Sequence, residues 1–428
     1  MNGYLDLSSY SGVVAGGASG KAVVAGKPED SPLYTFPAHL EDPKMPPNAP
    51  KIPQREIDTL RRWVEGGLIE KSGDPEPPTA LAGSETSVET LVAPEIPTHA
   101  GAISALAVSP VDPIAAVSGH HQIFLFDLAT RRLLGALKFP EGDVFQLTFS
   151  KNGQTLPAAG GIGAESGMAV LFWTKTWAHV SSLGDEIDSI LAADLSLDET
   201  RVVIGGPNRA VKIVANPNGE VLQTLRKPTD RVTSTCFSPD RLLVAAGDRF
   251  GGLFLWQTRS GRDFLALGGH FKAITAIAWI NDGDELLSGG EDGSIQILDI
   301  NNGKMRHRWE AHPGGVLSID VHPSGQIASS GRDRRIRIWQ PSGKLVSDFG
   351  PTPHPTTRVA WMAEGRSVVS GDLSGELRVW NLTDSESTAL PMPRTARPAV
   401  VGLVSILSNE SQVVLKPPPD RLAKHADA

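Results

Sequence analysis

Two adjacent histidines, His120-His121, sit in a short polar turn between apolar runs, where exposed imidazoles can ligate a metal; with no third ligand evident in the sequence, they are expected to be ordinary surface histidines. The string Gly160-Gly161-Ile162-Gly163-Ala164-Glu165-Ser166-Gly167 has the glycine content of a phosphate cradle. It lies between two strand-like runs instead of opening a helix, so no helix N-terminus faces a phosphate, and a turn insertion is the expectation. The run Arg332-Asp333-Arg334-Arg335-Ile336-Arg337 is locally basic but alternates as a solvated strand edge does. The single cysteine, Cys236, falls mid-strand in Thr235-Cys236-Phe237, which predicts a buried, inert thiol and forbids a disulfide within the chain. There is no G-x-S-x-G elbow, Walker loop or H-E-x-x-H, so the sequence predicts a protein that is not an enzyme and carries no catalytic residue.

Composition narrows the partners. Forty Lys and Arg against 48 Asp and Glu give a net charge of −8. A nucleic-acid partner, whose phosphates demand a clustered basic face, is not expected. The longest apolar stretch, about residues 399–407, is far short of the roughly 20 residues a membrane-crossing helix needs, so no membrane span is expected. The opening Met1-Asn2-Gly3-Tyr4 lacks the basic head and apolar run of a signal peptide. All three tyrosines, Tyr4, Tyr10 and Tyr34, lie in the first 34 residues, which separates that stretch in origin from the rest.

The elements that must position any site repeat. A motif recurs about every 42 residues, seven times: a β-branched start, an alternating strand, a Gly/Asp turn, and a second strand closed by an aromatic or aliphatic residue. The closing residues are Phe126, Phe172, Val214, Trp256, Leu298, Trp339 and Trp380, spaced 46, 42, 42, 42, 41 and 41 apart. The openings are read as Ile103, Val144, Ile187, Val232, Ile274, Val316 and Val359. A period of roughly 40–45 residues with short strands and a Gly-His to Trp-Asp frame resembles the WD-repeat β-propellers, with four strands per blade. The resemblance implies an all-β, seven-bladed ring whose inner strands are buried on both faces, as in Ile274-Thr275-Ala276-Ile277-Ala278-Trp279.

In that family a His entering the blade, a Ser on the second strand, an Asp in the tight turn and the third-strand Trp share one buried hydrogen-bonded network. The resemblance carries this onto His312, Ser329, Asp333 and Trp339, and onto His270, Ser288 and Asp292, where Leu298 replaces the indole. Asn208 and Ser374 stand where Asp is expected, so their blades should rely on packing. The blade-entry loops and tight turns should form an interaction rim for a protein partner, with Arg231, Arg249, Phe250, Phe271, Lys272, Glu291, Arg332 and Arg358 clustered there.

The N-terminal stretch is similar to the later half of a planctomycete-type cytochrome c domain. The residues that carry this are Leu5-Asp6-Leu7-Ser8-Ser9-Tyr10, Ala15-Gly16-Gly17-Ala18-Ser19-Gly20, Gly26-Lys27-Pro28-Glu29-Asp30-Ser31 and Lys44-Met45-Pro46-Pro47. A helix should follow, opened by Pro53, with Ile57, Leu60 and Val64 at helical spacing beside Trp63 and Gly66-Gly67 at its end. By resemblance Met45 is the distal ligand to haem iron. Covalent haem attachment needs C-x-x-C-H, and Cys236 is the only cysteine, so the chain as given is expected to hold no cofactor, with haem c in full-length relatives. A coding sequence begun too late, or a degenerate haem-free domain, would account for this. The expected organisation is a small, mainly α, partial cytochrome c-like domain at 1–72, a linker at 73–97 with one strand over Val88–Val92, the propeller at 98–391, and a tail at 392–428 where 400–414 could add two strands. Together these imply a non-enzymatic interaction scaffold bearing an electron-transfer domain. By resemblance alone the location is the periplasm or cell envelope. The alternative is the electron-accepting part of a quinoprotein-like dehydrogenase, a family with eight blades, tryptophan-docking repeats and often a vicinal cysteine pair.

Overall fold

In a computed structural model of the chain, the residues described are 5–17, 20–47, 49–68, 91–95, 101–280, 283–383 and 386–393. Seven four-stranded antiparallel sheets stand in a ring, and in each the strands neighbour one another in chain order. We number them blades 1 to 7, at 106–138, 143–186, 192–225, 232–267, 274–310, 316–349 and 356–390. The closing residues Phe126, Phe172, Val214, Trp256, Leu298, Trp339 and Trp380 all lie on third strands and are buried.

Burial runs differently from the expectation drawn from Ile274–Trp279. That first strand of blade 5, Ile274–Ile280, is buried only at intervals, because one of its faces lines the central channel. The second and third strands, Glu285–Gly290 and Ser294–Asp299, are buried throughout between neighbouring blades. The fourth strand, Lys304–Glu310, is largely exposed at the perimeter. Two of the expected openings also move. Thr356 occupies the place of Ile274 in blade 7, since Thr356 faces Asp372 as Ile274 faces Gly290. In blade 3, Ile190 is buried and bonds to Gly160 O of the preceding blade, as Val232 does to Gly206 O, whereas Ile187 is exposed. The long hairpin of blade 2, Thr155–Ile162 with Ser166–Trp173, absorbs the glycine-rich string, and its glycines join two strands with no helix.

Side-chain hydroxyls at the start of the first strands tie four of the seven blades to the next. Ser104 Oγ donates to Val144 O, Thr233 Oγ1 to Ile274 O, Thr275 Oγ1 to Val316 O, and Thr357 Oγ1 to Ile103 O at 2.6 Å. The last of these closes the ring, with Ile103 N donating to Asp372 O at 3.1 Å. Each such bond contributes about 0.5–1.5 kcal/mol. Apolar packing completes the same seam, where Ile103, Val117 and Phe126 of the first repeat meet Val369, Leu377 and Leu390 of blade 7. Val92 makes a bridge to Ala136 on the outer edge of blade 1, while residues 88–90 and 400–414 lie outside the described residues.

Among the described residues, the N-terminal unit holds three α-helices, α1 (Tyr10–Ala15), α2 (Pro32–Thr35) and α3 (Gln54–Glu65). Ser9 caps α1 by accepting the Gly12 N–H, and Gly66 caps α3. The core is small: Val23, Val64 and Leu68 are buried, with Tyr10, Val13, Leu33 and Trp63 against them. Tyr10 Oη donates to Leu68 O at 2.7 Å and pins α1 to the end of α3.

Candidate interaction face

An antiparallel blade sends its turns to two sides of the ring. Blade-entry loops and second-to-third-strand turns lie on one side, called here the upper face, and the remaining turns on the lower face. On the upper face of blade 6, His312 and Ser329 are fully buried. Trp339 Nε1 donates to Ser329 Oγ at 2.8 Å, Ser329 Oγ meets His312 Nε2 at 2.7 Å, and His312 Nδ1 meets Asp333 Oδ1 at 2.8 Å. The indole can only donate to Ser329 Oγ and the ionised carboxylate can only accept, so His312 carries its proton on Nδ1, facing Asp333, and in the neutral ring Nε2 accepts the serine proton. Burial pushes the Asp333 carboxyl up, but hydrogen bonds and charge from His312 and Arg337 outweigh it and hold the group below its ordinary range. In blade 5, His270 lies 3.0 Å from Asp292 and 2.9 Å from Ser288, with Leu298 in the indole's place. Ser294 Oγ supplies an additional bond to Asp292 at 2.8 Å. Burial lowers His270, while Asp292, raised by burial, is carried down to about 2 by the Ser294 N–H and His270.

Blades lacking this histidine do not rest on packing alone, contrary to the sequence expectation. A Cβ on Gly331 would sit 2.4 Å from His312 Cγ, and one on Gly290 2.5 Å from His270 Nδ1, so the imidazole needs glycine at the end of the second strand. Blades 4 and 7 put Asp248 and Asp372 at that place. Asp248 is fully buried and accepts from Thr229 N and Oγ1 at 2.9 Å and from Gly252 N at 2.8 Å, joining entry loop to turn as the histidine does elsewhere. Asp372 accepts from Ser374 N and Oγ and from Glu376 N, and Trp380 Nε1 still donates to Ser370 Oγ at 2.8 Å. In blade 3, Asn208 donates to Glu186, which also pairs with Lys212. No single sequence motif covers these substitutes, but Gly-Asp at the strand end, Gly247-Asp248 and Gly371-Asp372, where the histidine blades end in Gly290 and Gly331, is a usable signal.

The structure places Arg231, Arg249, Phe250, Phe271, Lys272, Glu291 and Arg332 on the upper face of blades 4 to 6. Phe250 is 68% exposed and Phe271 84%, beyond what isolated surface aromatics need. Arg308 lies over the Phe271 ring at 5.3 Å, and Arg332 pairs with Glu291 at 2.6 Å across two blades. Arg358 is not on this rim. It is the third residue of its first strand, Thr356–Trp361, so its side chain points into the channel, where Nη1 donates to Thr357 O and Nη2 reaches Phe145 O at 3.5 Å. Burial without a carboxylate pushes it down to about 10.

The N-terminal unit sits on the lower face at blades 4 and 5. Arg62, on α3, is buried, with Nη2 2.8 Å from Asp284 Oδ1, Nη1 donating to Asn301 Oδ1 at 3.0 Å, and Nε 3.4 Å from Asp240 Oδ2. Asp240 lies in the first turn of blade 4, and Asp284 and Asn301 lie in the two lower turns of blade 5. Arg259 Nη1 donates to Gly67 O at 2.6 Å, and Trp63 packs against the apolar cluster of blades 4 and 5 that includes Leu242. Sequence reading missed this anchor because Arg62 sits among polar helix residues and its partners are more than 170 residues away.

Met45 is 42% exposed in its proline-rich turn, where His39 Nε2 contacts Met45 O at 3.2 Å. The one cysteine, Cys236, lies on a first strand of the ring, its thiol pushed well up by burial. Met45 offers one thioether, and the one cysteine of the chain lies in the ring, so the residues present do not fit a covalently attached haem. No helix of the described residues is long and apolar enough to cross a membrane.

Residues 235–323 match the family model described as the anaphase-promoting complex subunit 4 WD40 domain, and residues 2–49 match planctomycete cytochrome C. The chain is similar to autophagy-related protein 16 of Arabidopsis thaliana, 21% identical over 77% of this chain and 65% of that protein. It is similar to target of rapamycin complex subunit wat1 of Schizosaccharomyces pombe, 24% identical over 45% of this chain and 62% of that one. Pre-mRNA-processing factor 19 of Bos taurus is 27% identical over 43% of this chain and 38% of its own length. In each case the chain spans less than two thirds of the relative.

Proposed function

We propose that this chain, a seven-bladed WD-repeat propeller with a planctomycete cytochrome c-type segment at its N-terminal side, is a non-enzymatic scaffold that receives a protein partner on its upper face. The observation that carries this reading is the division of labour between faces. Arg62 and α3 cover the lower turns of blades 4 and 5, while Phe250 and Phe271 stand exposed among Arg231, Arg249, Lys272 and Arg332 on the upper turns of the same blades. An aromatic anchor ringed by arginines is the composition of an interface hot spot, and four cations against the one carboxylate of Glu291 favour an acidic partner segment. The relatives support a part in protein assemblies, since one is named as a subunit of a complex.

The dehydrogenase alternative draws no support from the ring, which has seven blades where that architecture uses eight. By the cytochrome resemblance, the place of action is the cell envelope, which fractionation of the producing cell would test. The scaffold reading is tested by a photo-crosslinking residue at position 271 and, on the lower face, at position 302. A partner band at 271 alone, lost on Phe250→Ala, is expected. Equal crosslinking from both faces would overturn the reading.

A further inference from the structure

We propose that His120, His121 and Asp143 form a binding site for one divalent transition-metal ion of the Zn2+ class on the upper edge between blades 1 and 2. Gly119 pairs with Gln122, so the two histidines are the whole of a two-residue turn. That turn projects both imidazoles from one corner, their ring centres 4.3 Å apart. Asp143, the first residue of the next blade, brings its carboxylate to them: His120 Nδ1 lies 3.2 Å from Asp143 Oδ1, and one ligand atom from each residue falls within 4.8 Å of the others. Metal–ligand bonds of 2.0–2.2 Å place neighbouring ligands of a tetrahedral ion about 3.3 Å apart, so His120 and Asp143 already have the spacing and the His121 nitrogen lies within 4.8 Å of both.

Three features show a built corner rather than a chance meeting. His121 holds φ 53°, the positive φ that a two-residue hairpin turn requires, which fixes the direction of its ring. Phe139 N donates to His121 O and fixes the turn to the end of the blade. A Cβ on Gly160 would lie 1.9 Å from Asp143 O, so glycine there lets the two strands close and sets the position of Asp143. Neither ring nitrogen of His121 has a hydrogen-bond partner among the described residues. Two imidazoles and one carboxylate select Zn2+, Ni2+ or Cu2+ over Mg2+ or Ca2+ and leave a fourth position open.

The test is calorimetric titration of the full chain, without a polyhistidine tag, with Zn2+ alone, backed by Co2+ absorption. One Zn2+ per chain and an intense tetrahedral Co2+ band are expected. The double variant His120→Asn/His121→Gly keeps residues suited to the turn and should keep the parent's melting midpoint while losing the site. Asp143→Asn should weaken binding by no less than the roughly 10–100-fold that losing even an outer partner costs. The proposal is overturned if the parent binds no Zn2+, if the double variant binds as the parent does, if Asp143→Asn changes nothing, or if one ion bridges two chains.

Discussion

Arg62→Ala removes the guanidinium that α3 buries against the ring. Its side chain is 3% exposed, and the facing carboxylates of Asp240 and Asp284 are 16% and 13% exposed. Breaking a buried charge pair costs about 3–5 kcal/mol, because the remaining charges lose their counter-ion and are not resolvated. Asp284 keeps Arg55 at 2.8 Å, a more exposed partner, so the low end, about 3 kcal/mol, is expected. That is a factor of more than about 100 in the docking equilibrium. The unit buries few apolar side chains, Ala22, Val23, Ile57, Val64 and Leu68, and so small a core holds little by itself, so the loss should melt the N-terminal unit while the ring stands. Hydrogen exchange on the full chain reads this directly: amides of Ile57 to Val64 should lose protection, and those of blades 1 and 7 should keep it. The neighbouring Arg61 supplies the control. It faces outward, 2.8 Å from Glu65 one turn on, and Arg61→Ala should cost only about 0.3–0.5 kcal/mol. If Arg61→Ala and Arg62→Ala changed α3 equally, or if Arg62→Ala left its protection intact, the docking argument would be wrong.

Three further outcomes follow from the ring. Asp333→Ala should cost about 1–3 kcal/mol by stranding buried His312, and Gly331→Ala a similar amount by displacing the same imidazole, while Ser374→Ala at an open turn should cost well under 1; equal shifts in urea midpoint for all three would refute the network. Burial raises Asp194 to about 6, although it accepts the Phe237 N–H at 2.8 Å. A carboxyl with a folded pKa above its unfolded value binds more protons when folded, so its contribution is fully present below about pH 4 and is lost as pH rises through about 6. Asp194→Asn, which keeps an acceptor oxygen, should therefore gain on the parent across that window by up to about 3 kcal/mol, and a constant difference from pH 4 to 7 would count against it. Lastly, the chain of this sequence should purify without a Soret band even from cells that mature c-type cytochromes; a covalently held haem would contradict the reading of Met45 as a lone thioether.

The ring was legible because its period is set by strand and turn lengths, which leave a hydrophobic closing residue every 41 to 46 positions. The His–Ser–Asp networks were legible by resemblance, at His270 and His312. Strand openings were less so: β-branched residues are common enough that Ile187 and Val359 imitate a start, and only hydrogen bonding to the neighbouring blade identifies Ile190 and Thr356. Arg358 was misplaced by the same slip, since three positions along a first strand separate the rim from the channel. What depends on contact between distant segments gave no local signal. Asp143 meets His120 only when blade 2 packs on blade 1, and Arg62 meets Asp284 only when the N-terminal unit folds back on the ring.

Among the described residues, every blade is cut from one continuous stretch of chain, and no sheet borrows a strand from the far end. The seam between blades 7 and 1 is therefore the only junction in the circle without a peptide link across it. It is a clasp made of side chains, with Thr357 and Ile103 as its catch. Six junctions cannot separate far, whatever their packing does, while the seventh can gape until solvent reaches Val117 and Leu377. The circle is also indifferent to where its thread begins. Joining the ends at this clasp and opening the chain in the loop 226–231 would leave all seven sheets intact and move the weak point to the opposite side of the ring.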